Sequence, residues 1–171
     1  MPPPDFTIEQ LAPHHDRAGF SCGNASLDDF IRTKARKENE LGYCAVFVLT
    51  DQPRSAAIAG YYTLSSHSIS LSGIDAATRE KLPRYPDVPT ALLGRLAHDL
   101  RFRGEGVAEL LLLDALKRAA RGGRQVGAYA VSVDAIDGNA AAFYARFGFL
   151  ALAGHANRFC LSIASIERLG L

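Results

Sequence analysis

Two stretches of this 171-residue chain combine residue types and spacings that can do chemistry. The first is Arg101-Phe102-Arg103-Gly104-Glu105-Gly106-Val107-Ala108. It follows an apolar run and precedes a long amphipathic one. In that context the unpaired amides and positive end of a helix N-terminus hold an anion such as a phosphate. Gly104 and Gly106 let the backbone approach anionic oxygens without a Cβ in the way, and Arg101 and Arg103 add mobile positive charge beside them. A glycine pair alone is equally compatible with a plain turn. The G-x-x-x-x-G-K-S/T of a P-loop and the full G-x-G-x-x-G dinucleotide fingerprint are both absent. The second stretch is Asp137-Gly138-Asn139-Ala140-Ala141-Ala142-Phe143-Tyr144-Ala145-Arg146-Phe147-Gly148-Phe149. Its plain interpretation is a short helix whose Phe143, Phe147 and Phe149 fill a core, with Tyr144 at the rim. A phenol is also a proton donor for a departing group, such as the thiolate released when an acyl group leaves a thioester.

These stretches need elements to position them. Phe6–Glu9 alternates weakly as a first strand. Ser26 is placed to cap a helix over Leu27–Glu40, with Leu27, Phe30, Ile31, Ala35 and Leu41 as its apolar stripe and Arg32, Lys34, Arg36 and Lys37 opposite. Tyr43–Thr50 and Ala57–Ser66 predict an antiparallel hairpin across the turn signal at Asp51-Gln52-Pro53. Gly73–Pro89 reads as a short helix and an extended crossing, and Ala91–Leu100 as a third strand. Gly104–Arg121 is a long helix with Val107, Leu110, Leu111 and the run Leu113 to Leu116 towards the sheet, stopped by Gly122-Gly123. Tyr129–Val133 is a further strand, Asn139–Phe147 a short helix closed by Gly148, and Phe159–Ile163 the last strand. This order predicts one α/β (α+β) sheet domain over residues 1–171, with no repeats and no linker.

Composition agrees with a soluble globular chain: 48% hydrophobic residues, 22% charged and a net charge of +1. That balance carries no general signal for nucleic acid or anionic membrane. Cys22, Cys44 and Cys160 are scattered and odd in number, which argues against a disulfide framework or a metal site and for a reducing cytoplasm. Met1-Pro2-Pro3-Pro4-Asp5 lacks the features of a signal peptide, and no apolar run approaches the ~20 residues of a membrane span.

The loop Arg101, Gly104, Gly106 resembles the Q/R-x-x-G-x-G/A signature of the GNAT superfamily of N-acetyltransferases, and Asn139–Phe149 resembles its N-x-x-A-x-x-F-Y-x-x-x-G-F helix, in the right order. Phe20–Ile31 with its Cys22-Gly23-Asn24, Gly60–Ser65, Arg84-Tyr85-Pro86 and Leu93–Ala97 are similar to the GNAT toxins of toxin–antitoxin modules. The chain departs from that pattern at Ala108, where a third glycine is common, at Glu105, and at His98 within the usual L-A-V-D.

The resemblance implies a GNAT fold: a mixed, mostly antiparallel central sheet splayed at the acetyl-CoA site and flanked by helices. It implies that Leu96, Ala97 and His98 run beside the pantetheine arm of acetyl-CoA. Arg103, Gly104, Glu105, Gly106, Val107 and Ala108 would hold its pyrophosphate, and Asn139 and Phe143 would lie along the other side of the arm. Tyr144 would be the general acid towards the coenzyme A thiolate. The implied acceptor is the α-amine of aminoacyl-tRNA, with Arg36, Arg84 and Arg95 as candidates for the tRNA phosphates. A ribbon-helix-helix antitoxin and a second copy of the chain are the implied partners; no metal or membrane is. His98 as a base competes with His98 as a packed strand residue. Two other readings stay open: a GNAT enzyme acetylating a small-molecule amine or a protein N-terminus, and a non-catalytic GNAT-fold binding module.

Overall fold

The computed structural model describes residues 5–171; Met1 to Pro4, most of the leading stretch read above for a signal peptide, lie outside the described residues. The chain forms two compact units. The first comprises residues up to Ser65 together with Gly94–Ala115, the second Ser66–Leu93 together with Leu116–Leu171. Three elements pass from one unit to the other: β3 (Ile58–Ser70), β4 (Asp87–His98) and α4 (Val107–Val126).

In the first unit, β1 (Thr7–Gln10) pairs antiparallel with β2 (Ala45–Thr50), and β2 pairs antiparallel with β3 in the register Val48↔Tyr61. The expected hairpin is present, with a bulge between Leu49 and Thr50. The expected single helix is not. It starts at Ala25, capped by Asn24, whose Oδ1 accepts from Leu27 N at 3.1 Å, so Ser26 lies inside it. It then divides into α1 (Ala25–Asp29), one π turn over Phe30–Lys34, and α2 (Ala35–Leu41). Asparagine caps as well as serine, and the wide turn keeps Phe30, Ile31 and Ala35 on one buried stripe. Leu41 is 61% exposed, not part of that stripe, because the left-handed Gly42 ends the helix at once.

Phe20, Phe30 and Tyr61 are the aromatic centre of this unit's core, packed with Val46, Val48 and Ala97. Phe20 meets the Tyr61 ring edge-on at 5.3 Å and Phe30 stacks on it at 6.0 Å, while the buried phenol donates to Leu27 O at 2.6 Å. A Cβ on Gly60 would stand 2.8 Å from both Val107 Cγ1 and Leu111 Cδ1, so glycine is what lets α4 lie against β3. The buried face of α4 is Val107, Leu111, Leu112, Ala115, Leu116 and Ala119. Leu110 is instead exposed and Leu113 half-buried, and Asp114 turns inward to accept from the buried Tyr62 hydroxyl.

In the second unit, β5 (Ala130–Asp134) runs parallel to β4 from Thr90↔Ala130 to Leu93↔Val133. It also pairs antiparallel with β7 (Arg158–Ser162), which in turn pairs with the two-residue β6 (Leu150–Ala151). In the hydrogen-bonded order β1-β2-β3-β4-β5-β7-β6, β4 with β5 is parallel, and β1 with β2, β2 with β3, β5 with β7 and β7 with β6 are antiparallel, the mixed and mostly antiparallel sheet expected. A short α3 (Ala76–Arg79), α5 (Gly138–Arg146) and α6 (Ile163–Arg168) complete the unit. The sequence reading did not anticipate α6, which Ser162 caps through Ser165 N. Gly122-Gly123 does not stop α4; the helix runs to Val126 and ends at the left-handed Gly127. Gly123 is buried, and a Cβ there would stand 3.3 Å from Ala128 Cβ, so this glycine serves close packing.

Candidate active site

The first unit carries the anion loop and the strand leading into it. The parallel register ends at Leu93↔Val133, yet β4 continues to His98, so no β5 residue pairs with Leu96, Ala97 or His98. Ala97 is buried, and Leu96 and His98 are half-buried.

Asp99 follows, 1% exposed, and caps a 3-10 turn over Leu100–Phe102. Its Oδ1 accepts from Arg101 N at 2.8 Å and Arg101 Nε at 2.9 Å; its Oδ2 accepts from Arg101 Nη2 at 3.1 Å and Ser21 N at 3.0 Å. Burial pushes this carboxyl up. The Arg101 guanidinium and the Ser21 and Arg101 amides outweigh that push and hold it below the usual carboxylate range. Arg101 is therefore a clamped structural cation and not the mobile charge the sequence suggested. The sequence reading missed Asp99; its signal was an acid closing an apolar strand with an arginine two residues on.

Gly104 and Gly106 both take left-handed conformations, φ +82° and +75°. A Cβ on Gly104 would meet nothing within 4 Å, so the loop is open. The first ladder bond of α4 runs from Leu110 N to Gly106 O at 3.1 Å, so the amides of Val107 and Ala108 precede the ladder and have no helical acceptor. Arg103 and Glu105 are exposed, and Arg103 makes no ion pair among the described residues. The loop offers backbone donors, one available cation and steric room for an anion.

The second unit carries the tyrosine. Asp137 Oδ1 accepts from Ala140 N at 2.8 Å to start α5, and the left-handed Gly148 closes the turn after it. Tyr144 is 7% exposed and lies edge-on to Phe143 and Phe149, each at 5.4 Å. The rim assignment is thus reversed: Tyr144 and Phe149 are buried, whereas Phe143 and Phe147 are half-buried. Burial pushes the Tyr144 phenol up to about 12, so it is a protonated donor at neutral pH. Its hydroxyl makes no hydrogen bond among the described residues. Asn139 is exposed on the first turn of the same helix.

The three arginines differ. Arg36 pairs with Glu40 at 3.0 Å on the exposed face of α2, and Arg84 is exposed beside a cavity of about 280 Å³ that Arg79 and Glu80 also line. Arg95 is half-buried with its guanidinium 3.6 Å from the Phe30 ring centre, and it makes no ion pair among the described residues. The aromatic face offsets the cost of a cation on an apolar strand and leaves the charge available to an anion.

Burial pushes the thiols of Cys22, Cys44 and Cys160 up, Cys22 to about 11, which keeps them out of thiolate chemistry. Glu9, His14 and His15 cluster tightly enough to suggest a metal. However, His15 Nδ1 accepts from Ala12 N at 2.9 Å, so the proton sits on Nε2, which donates to Glu9 Oε1 at 2.9 Å. The cluster is a hydrogen-bonded cap.

A parallel strand pair with β4 running on past its partner, followed by a glycine loop and a long helix, is the architecture of an acyl-coenzyme A N-acetyltransferase. No protein-family model matches the chain. It is 32% identical over 170 residues to a probable toxin, TacT, of Sinorhizobium fredii, covering 95% of this chain and 93% of the relative. It is 34% identical over 134 residues to a tRNA-acetylating toxin of Mycobacterium tuberculosis, covering 78% of each. Its fold matches that of AtaT complexed with acetyl-methionyl-tRNAfMet at a TM-score of 0.90 and 28% identity, over 98% of this chain and 100% of that one. It also matches a tyrosine-to-phenylalanine mutant of AtaT bound to the C-terminus of the antitoxin AtaR and acetyl-CoA (TM-score 0.81, 26% identity, 97% and 98% coverage). The chain belongs to the GNAT toxins, the N-acetyltransferase toxins of toxin–antitoxin modules.

Proposed function

We propose that this protein transfers the acetyl group of acetyl-CoA to the α-amine of aminoacyl-tRNA and thereby blocks translation. The observation that carries this is the open loop of left-handed Gly104 and Gly106 ahead of the α4 amides, in a chain that is a member of the GNAT toxins. The loop fits a pyrophosphate: a side chain at either glycine would require strained backbone, and the Val107 and Ala108 amides need acceptors.

In this reading Arg103, Gly104, Glu105, Gly106, Val107 and Ala108 hold the pyrophosphate. On the edge where they have no β5 partner, the backbone groups of Leu96, Ala97 and His98 bind the pantetheine amides, and an N–H there polarises the acetyl carbonyl. Asn139 and Phe143 flank the arm. Bound acetyl-CoA supplies the activated acetyl group. As the acceptor nitrogen bonds to the acetyl carbon and the carbon–sulfur bond breaks, Tyr144 gives its hydroxyl proton to the sulfur, and the ammonium proton leaves to water. A phenol pushed up to about 12 keeps its proton at neutral pH and so has it to give as charge develops on the sulfur; the phenolate left behind, the stronger base of the two, is reprotonated from water. Free α-amino groups titrate near ~8, so a fraction of the acceptor amine is unprotonated at neutral pH without a dedicated base. Arg36, Arg84 and Arg95 contact the tRNA phosphates, with Arg95 best placed because its cation is unpaired.

All 171 residues act as one acetyltransferase domain, in the cytoplasm and as a homodimer, held inactive by a ribbon-helix-helix antitoxin. In support, among the described residues no helix is long and apolar enough to cross a membrane, and AtaT forms a complex with the AtaR C-terminus. The test is purified protein with labelled acetyl-CoA and a panel of charged tRNAs. Label in the aminoacyl ester is the expected result. Label confined to small amines or protein N-termini refutes the tRNA assignment.

A further inference from the structure

Residues Phe20–Cys22 form a strap in the first unit whose backbone is held from two sides. On one side Ser21 N donates to Asp99 Oδ2 at 3.0 Å, and Ser21 O accepts from Leu100 N at 2.9 Å. On the other, Cys22 N donates to Asp28 Oδ1 at 2.8 Å, and Phe20 O accepts from Arg32 Nη2. The first pair of contacts belongs to the turn that opens the anion loop. The second belongs to α1 and the π turn, the helical segment that carries Phe30 beneath Arg95 and continues into Arg36. Asp28 is 8% exposed, Asp99 1% and the Phe20 side chain 0%. Two buried carboxylates therefore grip adjacent amides of one three-residue segment.

We propose that Asp99 is a positioning residue that couples the two substrate sites through this strap: acetyl-CoA binding at the loop sets the acceptor-side helix, and acceptor binding tightens the loop. This rests on the acetyltransferase reading above. Asp99 is suited to the task because one carboxylate holds both partners, with Oδ2 shared between them. Oδ1 holds the Arg101 backbone and Nε, while Oδ2 holds Arg101 Nη2 and the Ser21 amide. A displacement of the Leu100–Phe102 turn moves the strap with it, because Leu100 N is bonded to Ser21 O in parallel with the carboxylate. The strap then pulls on Arg32 and Asp28. Linkage makes the coupling reciprocal and typically ~5–150-fold in affinity. The available alternative is that the bonds are independent pins, each stabilising its own loop.

The cycle that separates these is acetyl-CoA binding by calorimetry to the full chain carrying Arg32→Ala, Asp99→Asn or both. Arg32 donates to Phe20 O and its carbonyl accepts from Arg17; among the described residues it makes no hydrogen bond or ion pair with residues 99–108. Even so, Arg32→Ala is expected to weaken acetyl-CoA binding about 10-fold. Asp99→Asn is expected to weaken it at least as much, because its amide NH₂ confronts either the Ser21 amide or the Arg101 donors. In the double variant the Arg32→Ala effect disappears, the strap being already cut. Wild-type acetyl-CoA affinity in Arg32→Ala, or losses that multiply in the double variant, overturns the proposal. If Asp99→Asn does not fold, Arg101→Lys, which keeps the carboxylate but cannot fork onto it, takes its place in the same cycle with the same expectations. A wild-type chain that binds no acetyl-CoA overturns the acetyltransferase reading itself, and the coupling with it.

Discussion

Replacing Tyr144 by phenylalanine removes one oxygen from a site that makes no hydrogen bond among the described residues. The ring contacts with Phe143 and Phe149 are retained. Removing a hydroxyl that has no protein partner breaks no bond, so the variant should be about as stable as wild type near neutral pH, within about 1 kcal/mol. Catalysis should respond very differently. A positioned general acid contributes about 10²–10⁴ in rate, or roughly 3–5 kcal/mol of barrier, and the proposed mechanism makes this phenol the proton source for the thiolate. The expected kcat is therefore down about 10²–10⁴ with acetyl-CoA affinity unchanged. The raised phenol gives an independent check. Because its folded value, about 12, lies above the ordinary value of 10.0, its contribution is fully present below pH 10 and is lost as pH rises towards 12. Wild type should lose about 3 kcal/mol relative to Tyr144→Phe across that window. Single-turnover transfer of labelled acetyl groups to charged tRNA, with urea melts from pH 7 to 12, measures both. A variant with kcat within about 3-fold of wild type would refute the assignment of Tyr144 as the acid, whatever its melts show.

Three further outcomes follow from the geometry. Gly106→Ala forces a Cβ into a left-handed backbone, at about 1–2 kcal/mol. Without ligand the open loop escapes that strain by leaving the left-handed conformation, since no atom but the tip of Glu109 lies within 4 Å, so the melting temperature should change little while the cost falls on the bound state; acetyl-CoA should dissociate about 5- to 30-fold more readily, read by calorimetry. Gly60→Ala drives a methyl to 2.8 Å from Val107 and Leu111 and should destabilise by about 1–3 kcal/mol, lowering Tm by roughly 2–10 °C in a calorimetric scan. Asp99 is held below its ordinary value, so its contribution is present above pH ~4 and is lost as pH falls through its folded value. The stability advantage of wild type over Asp99→Asn should shrink on acidification below pH ~4 in chemical denaturation.

The sequence alone determined the parts whose cause is local. Glycines at 104 and 106 mark a left-handed loop, because few other residues adopt that backbone. The short apolar, β-rich run at Ala45–Thr50 marks a strand by composition and the turn signal after it, and the 3.6-residue stripe of α4 marks a helix by period. The helix at Asn139–Phe149 announced its tyrosine by pattern, and with it the family. What the sequence could not contain is whatever depends on partners far along the chain. Gly122-Gly123 reads as a stop, yet Gly123 lies inside the last turn of α4, where Ile163 packs within 3.5 Å of the place a Cβ would take. The expected helix from Leu27 widens into a π turn where Phe30 and Ile31 must reach the core. Tyr144 reads as a rim residue but is buried. Arg101 reads as a mobile charge but is clamped by Asp99, whose other oxygen holds an amide 78 residues away. Such contacts form only when the sheet brings the segments together. A buried carboxylate persists there only because four donors converge on it at once, and that convergence is a property of the folded chain, not of any stretch of its sequence.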